Sequence, residues 1–381
     1  MKLPAGRPRA TGLCRGKSAL FPSGIAGDFL NSIAYICYTL LMKEALAYEK
    51  LGASAVRCHL CAHNCVIKSG QRGICAVREN VNGTLSSLVY GKVVSMNIDP
   101  IEKKPLFHFL PGSTSLSIAT AGCNFRCKHC QNYEISQYPR ERKFEIPGRD
   151  TAPEDVVKAA RDNGCESISY TYTEPTIFFE FAYDCAKLAH EKGIRNVFVS
   201  NGYTGEEAAR LIAPYLDANN IDLKGSDTFY KEICGARLGP VKNTIRLMKE
   251  LGVWIEVTTL IIPDLNDADS DLADIAEFIA SVDPGIPWHV SQFYPTYKLM
   301  DKPRTPVATL RRAVETGYRA GLKYVYEGNV PGEGESTFCP RCKGILIERV
   351  GYRVIENRIR DRKCPSCGNL IDGRWTAAER A

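Results

Sequence analysis

Three cysteines share one short stretch of the chain: Cys123, Cys127 and Cys130, in the run Ala121-Gly122-Cys123-Asn124-Phe125-Arg126-Cys127-Lys128-His129-Cys130-Gln131-Asn132. Their spacing is C-x3-C-x2-C. Three thiolates this close suit an iron–sulfur cube, which is normally held by four. With three protein ligands, one iron keeps an open position for a substrate or cofactor. That points to a cluster that reacts, not one that only carries electrons. A zinc loop is the competing chemistry, but zinc sites usually pair two knuckles to reach four ligands.

Two further cysteine sets do reach four. Cys58, Cys61, Cys65 and Cys75 are spaced C-x2-C-x3-C-x9-C, with Gly70 and Gly73 in the long gap. Four thiolates around glycine turns suit a closed metal site, and zinc and a second iron–sulfur cluster both fit. His59 and His63 lie among them, but the four thiols complete the set, so surface or packing roles suit the histidines better. Cys339, Cys342, Cys364 and Cys367 form two C-P-x-C knuckles separated by 21 residues. Each knuckle presents two thiolates, which is the pattern of a zinc ribbon. A rubredoxin-like iron site uses the same ligands. The runs 344–350 and 352–355 between the knuckles predict a β-hairpin.

The elements that must position these residues alternate from Ser115 to about Tyr326. Short apolar strands are predicted at 115–120, 167–172, 196–200, 220–224, 253–260 and 288–293. Amphipathic helices lie between them, with Pro153 opening one and Gly193 closing another. This alternation is the signature of a parallel α/β architecture. Periodicity alone leaves a barrel and a doubly wound sheet both open. Residues 84–97 alternate and read as short strands leading into the sheet.

The cysteine loop resembles the cluster motif of the radical S-adenosylmethionine (SAM) enzymes, and the resemblance extends over roughly Met42 to Ala381. The stretch Asp99-Pro100-Ile101-Glu102-Lys103-Lys104-Pro105-Leu106-Phe107-His108-Phe109 resembles the activating-enzyme branch, similar to pyruvate formate-lyase activating enzyme. With the cysteine-rich head and tail, the chain looks most like the radical SAM member of the AmmeMemoRadiSam group. The resemblance implies an α/β fold: a partial (β/α)6 radical SAM barrel, with an N-terminal cysteine-rich segment and a C-terminal zinc ribbon. It also implies a [4Fe-4S] cluster on Cys123, Cys127 and Cys130, with SAM on the open iron. Sites in such barrels sit at the C-terminal ends of the strands.

Carried over position by position, the resemblance implies several cofactor contacts. His129 stands where the family usually has an aromatic residue near the adenine, and imidazole can also stack. Thr171-Tyr172-Thr173-Glu174-Pro175 takes the place of a Gly-Gly-Glu-Pro turn that grips the SAM amino group. Tyr172 and Thr173 replace the two glycines, and Glu174 keeps the carboxylate. A helix N-terminal acid is the plainer role for Glu174. Ser200-Asn201-Gly202 resembles a Thr-Asn-Gly turn, but Val199 replaces the aspartate that helps hold a monovalent cation. Asp222 and Lys224 match an Asp-x-Lys near the SAM carboxylate and sulfonium, where a strand-end salt bridge is the structural alternative. His289 matches a histidine at the SAM end of the pocket. Cys234 could relay a radical, though a packed core thiol suits it better.

A chain of 381 residues with 44% hydrophobic content can bury a full core. The expected division is a non-native or disordered extension at 1–41, a cysteine-rich segment at 42–110, the barrel at 111–330, and linker plus ribbon at 331–381. The apolar part of the extension is too short to span a bilayer, and Met42 resembles a family start. Sixteen cysteines at metal-ligand spacings fit a reducing cytoplasm better than a disulfide framework. Net charge is +6, and the basic excess sits at the two ends. The segment 339–381 carries ten Lys/Arg and five Asp/Glu, while the middle of the chain is slightly acidic. Nucleic-acid binding is therefore weakly supported and belongs to the ribbon.

The reading that follows is reductive SAM cleavage giving a 5′-deoxyadenosyl radical that abstracts hydrogen from a substrate. It requires a donor such as ferredoxin or flavodoxin, and the resemblance implies association with Memo-like and AMMECR-type proteins. One alternative is activation of a glycyl-radical enzyme by the same chemistry. The other is a zinc-ribbon module that binds RNA or protein beside a non-catalytic barrel.

Overall fold

The computed structural model describes residues 42–330 and 333–376. The extension expected at 1–41 lies outside them. Seven parallel strands pair in chain order: β1 (Thr114–Thr120), β2 (Ser167–Tyr170), β3 (Arg195–Ser200), β4 (Ala218–Asp222), β5 (Trp254–Ile261), β6 (Trp288–Gln292) and β7 (Val325–Gly328). A doubly wound sheet reverses its order at a switch point; this sheet does not. Because parallel crossovers are right-handed, an unreversed order stacks the helices on one face and leaves the other as a concave interior.

The helices α1 (Pro153–Asp162), α2 (Phe179–Glu191), α3 (Glu206–Ile212), α4 (Leu238–Glu250), α5 (Asp269–Val282) and α6 (Val307–Arg319) follow β1 to β6 in turn. These are the six expected strand–helix units, with two additions. One is the seventh strand. The other is the antiparallel strand Lys92–Pro100, which pairs with β1 and carries Arg149–Asp150 on its far side. The sheet is therefore mixed. Among the described residues β7 pairs with β6 and not with Arg149–Asp150, so the barrel stays open.

Local sequence explains the elements. In α1 Pro153 occupies the first turn, where its missing N–H is not needed. Asp155 accepts from the Ala152 N–H at 3.2 Å. Val156, Val157 and Ala160 form its buried stripe. Strands β2 and β5 are buried along nearly their whole length, as strands covered on both faces must be. Predicted strands 167–172 and 220–224 end early, at Tyr170 and Asp222. Tyr172 takes a φ of 63°, which no strand accommodates, and Lys224 follows Asp222 off the sheet.

The segment 101–112 crosses from the antiparallel strand to β1 as a strap. It is pinned by Glu256 on β5, which accepts from the Phe107 N–H at 3.0 Å and the His108 N–H at 2.8 Å. The head forms two small three-stranded antiparallel sheets. At the other end Thr337–Phe338, Ile345–Val350 and Arg353–Asn357 form one more, which contains the predicted hairpin.

Candidate radical SAM site

The loop after β1 turns at Gly122, whose φ is 102°. A Cβ there would lie 2.6 Å from Val77 Cγ1 of the head, so only glycine allows the head to press on the loop. Arg140 fastens the loop from outside, donating to the Cys123 and Phe125 carbonyls and to Ile74 O of the head. These bonds brace the loop against the head.

Cys123, Cys127 and Cys130 all line one cavity of about 430 Å³. Burial pushes the Cys123 thiol far up, and the nearby Glu174 carboxylate adds to this. A hydrogen bond with Cys234, then burial, does the same for Cys127. Neutral thiols crowded here await a positive metal, which would take their protons' place. Cys130 Sγ is also 3.1 Å from Ser136 Oγ, and Asn201 Nδ2 is 3.8 Å from Cys123 Sγ. His129 is 4% exposed, and its Nδ1 is buried without a partner. Burial, then Lys224, pushes its pKa down to about 3, so the ring is neutral. Three thiols, an unspent imidazole nitrogen and a cavity of this size fit a [4Fe-4S] cluster with an organic cofactor beside it.

The strand ends supply the rest. Lys224 Nζ is 2.7 Å from Asp222 Oδ2. Burial would lower the Lys224 pKa, but the Asp222 carboxylate outweighs it and holds the ammonium charged. Both residues line the cavity, as do Tyr172, Thr173, Ser200 and Asn201.

Two expected contacts are placed differently. Glu174 is fully buried behind the cavity wall, and protein donors occupy both of its oxygens. Oε1 accepts from Thr176 N at 3.0 Å and Ser200 Oγ at 2.9 Å, and Oε2 from Asn201 N at 2.8 Å. It braces the Ser200–Asn201 turn and caps the short helix that starts at Pro175, which is the plainer role weighed from sequence. His289 lines the cavity, but its Nε2 is 2.7 Å from Glu256 Oε2, so that nitrogen is spent on the strap's anchor.

Other residues carried no signal strong enough to assign from sequence. Asp99 receives Lys103 Nζ at 2.8 Å, Lys104 Nζ at 2.6 Å, Ser117 Oγ at 2.8 Å and the Tyr172 hydroxyl. Burial alone would raise the Asp99 pKa, but these bonds hold it far below the carboxylate range. Asp99 therefore locks the Tyr172 turn to the strap. The run that holds Asp99 was visible in sequence; the pairing across strands was not. Arg349, Glu335 and Tyr352 come from the C-terminal segment. Glu335 and Tyr352 line the cavity, and Arg349 joins the ribbon to the strap.

Residues 117–279 match the Radical SAM superfamily. An uncharacterized protein of Methanocaldococcus jannaschii is 50% identical over 335 residues, which cover 87% of this chain and 99% of that one. The chain belongs to the radical SAM superfamily. Within it, the chain is similar to the pyruvate formate-lyase-activating enzyme of Clostridium pasteurianum, 25% identical over 167 residues, or 42% of this chain and 67% of that enzyme. The crystal structure of Streptococcus suis SuiB bound to S-adenosylmethionine aligns with a TM-score of 0.46 at 16% identity, covering 60% of this chain and 53% of SuiB. The superfamily carries a [4Fe-4S] cluster and SAM, and its activating-enzyme relatives need a reductant. The ribbon thiols form a four-cysteine group able to hold a metal. No helix among the described residues is long and apolar enough to cross a membrane.

Proposed function

We propose that the protein is a radical SAM enzyme in which Cys123, Cys127 and Cys130 hold the cluster and the strand ends hold SAM. The observation that carries this is one cavity lined at once by the three loop thiols, the turns after β2 and β3, and the Asp222–Lys224 pair after β4. When bound, the cluster and SAM supply a 5′-deoxyadenosyl radical that takes a hydrogen atom from the substrate.

The chain's own residues orient and shield. Lys224, kept charged by Asp222, offers an ammonium to a carboxylate beside Cys127. Asn201 and Ser200, braced by Glu174, offer hydrogen bonds at a fixed turn. His129 presents a neutral ring, which can stack or engage in a hydrogen bond through its unpartnered Nδ1. Tyr172 and Thr173 stand where a glycine turn would leave room, so they narrow the approach to the backbone there. The strap, β7 and the ribbon wall the far side of the cavity.

The similarity to activating enzymes makes abstraction from a protein glycine one form of this chemistry. The strap sequence together with two extra cysteine sets favours the AmmeMemoRadiSam type, with Memo-like and AMMECR-type partners and a ferredoxin or flavodoxin donor in a reducing cytoplasm. We take 42–110 as the cysteine-rich segment, 111–330 as the barrel and 331–381 as linker and ribbon, with strand Lys92–Pro100 of the first segment joining the barrel sheet. In the ribbon, Cys339 and Cys367 sulfurs lie 3.6 Å apart and Cys342 and Cys364 sulfurs 3.7 Å apart, which suits one tetrahedral ion, zinc or a rubredoxin-like iron. The ribbon's inner face is spent on the strap, which weighs against an independent RNA-binding module.

The test is anaerobic reconstitution followed by EPR of the reduced cluster with and without SAM, beside Cys127→Ala. A SAM-dependent change of signal in the wild type, absent from the variant, is expected. A signal indifferent to SAM would overturn the reading.

A further inference from the structure

The four head thiols are arranged unlike those of the ribbon. One tetrahedral ion bonded to sulfurs at about 2.3 Å sets them about 3.8 Å apart. The ribbon sulfurs meet that spacing, all four lying within 4.8 Å of one another. A cube holds each thiolate on its own corner, so its ligands stand further apart. Among the described residues neither Cys123, Cys127 and Cys130 nor Cys58, Cys61, Cys65 and Cys75 converge within 4.8 Å as sets. Backbone contacts still draw the head set together: Cys58 N donates to Cys65 O at 3.0 Å, and Cys65 Sγ lies 3.8 Å from where a Gly73 Cβ would sit, two residues before Cys75.

A buried cation follows the last of these cysteines. Arg78 is 1% exposed and pairs with Glu180 through one nitrogen. Its Nε and Nη1 have no hydrogen-bond acceptor among the described residues. It opens the strand Arg78–Val81 three residues after Cys75, and its carbonyl accepts from Gly73 N at 3.0 Å. A buried donor left unmade is costly, and an anionic thiolate–sulfide cluster would remove that cost by accepting N–H···S bonds.

The head site also abuts the reactive loop. Cys75 O lies 3.4 Å from where a Gly122 Cβ would sit, one residue before Cys123. His63 Nε2 is 2.9 Å from Asn124 O. Arg140 bonds Ile74 O on one side and Cys123 O on the other.

We infer that Cys58, Cys61, Cys65 and Cys75 hold a second iron–sulfur cluster, with Arg78 donating to its sulfurs, placed to pass electrons to the cluster of the Cys123 loop. One electron enters from a donor protein of the ferredoxin or flavodoxin class and one leaves for the loop cluster, with no bond made or broken. The relay, though not the head cluster itself, rests on the loop cluster proposed above.

The test counts metal in the full chain after anaerobic reconstitution: wild type, Cys123→Ala/Cys127→Ala, and Cys58→Ser/Cys61→Ser. The expected iron is about eight per chain in the wild type and about four in each variant. The loop variant should keep an EPR signal that ignores SAM. The head variant should keep the SAM-responsive signal, with its reduction by ferredoxin slowed several-fold. A loop variant that holds no iron and gains zinc in the head overturns the inference, even if the head variant fails to fold. Iron that survives loop substitution but vanishes on head substitution, with no SAM response in the wild type, would instead sink the loop reading and leave the head cluster standing.

Discussion

Cys234 shows how a residue gains meaning from its surroundings. It is fully buried at the end of a wide helical turn, Tyr230–Cys234, closed by Gly235 with a φ of 71°. Its carbonyl accepts from Arg126 N at 2.8 Å, and Ile233 O accepts from Lys128 N at 3.0 Å, so the turn grips the loop on both sides of Cys127. The ligand atoms of Cys127, His129 and Cys234 lie within 4.8 Å of one another. A thiol donating to a cluster ligand eases reduction of the cluster. Cys234→Ala should therefore retain full iron but require a more negative potential, read by EPR-monitored redox titration, with Cys234→Ser between it and wild type. Iron lost in both variants would make Cys234 a ligand instead. From sequence the loop cysteines were plain because their spacing is local. Cys234 and Glu174 were not, because their partners come from elements far along the chain.

The strap and the ribbon form one unit at the scale of elements. Arg349 is buried at their junction, donating to Phe107 O at 2.7 Å and Thr337 Oγ1 at 2.8 Å, with its guanidinium 4.4 Å from the Phe107 ring centre. Removing it leaves several buried acceptors unpaired, a loss of about 3–5 kcal/mol at the junction. Arg349→Met should speed amide exchange over 102–110 by at least tenfold while the α4 and α5 amides stay protected; unchanged strap exchange would show that the junction is held otherwise. His108 is sealed in the same place, its Nε2 2.5 Å from the Tyr326 hydroxyl and its Nδ1 2.6 Å from Asp372 O. Burial, opposed by Glu256 and aided by Arg349 and His289, pushes its pKa down to about 4. The unfolded chain therefore takes this proton first. Its contribution is complete above the ordinary histidine pKa and falls away as pH drops toward 4, by roughly 3 kcal/mol in all. His108→Gln should flatten the dependence of Tm on pH across that window, and an unchanged slope would contradict it. The ribbon hairpin was legible from its alternating residues between knuckles. Its docking was not, because Arg349 looks like any basic residue of a solvated hairpin until Phe107 and Glu335 surround it.

Over the whole molecule, the alternation of strands and helices was legible, and the order of the strands was not. Apolar runs such as Trp254–Ile261 mark a buried parallel strand in either architecture, and only pairing distinguishes the two. The alternation over 84–97 marked the strand Lys92–Pro100, but not that it would pair antiparallel with β1 and make the sheet mixed; the final strand β7 lies outside the repeating unit. What the assembled fold adds is convergence: strand ends from β1 to β7, the strap and the ribbon surround one cavity. In the proposed function this cavity cleaves SAM reductively. The most direct measurement is 5′-deoxyadenosine formed by the reconstituted protein with SAM and a strong reductant, beside Cys127→Ala. Product is expected from the wild type and none above background from the variant. A wild type that binds its cluster and SAM yet yields no more product than Cys127→Ala would contradict it.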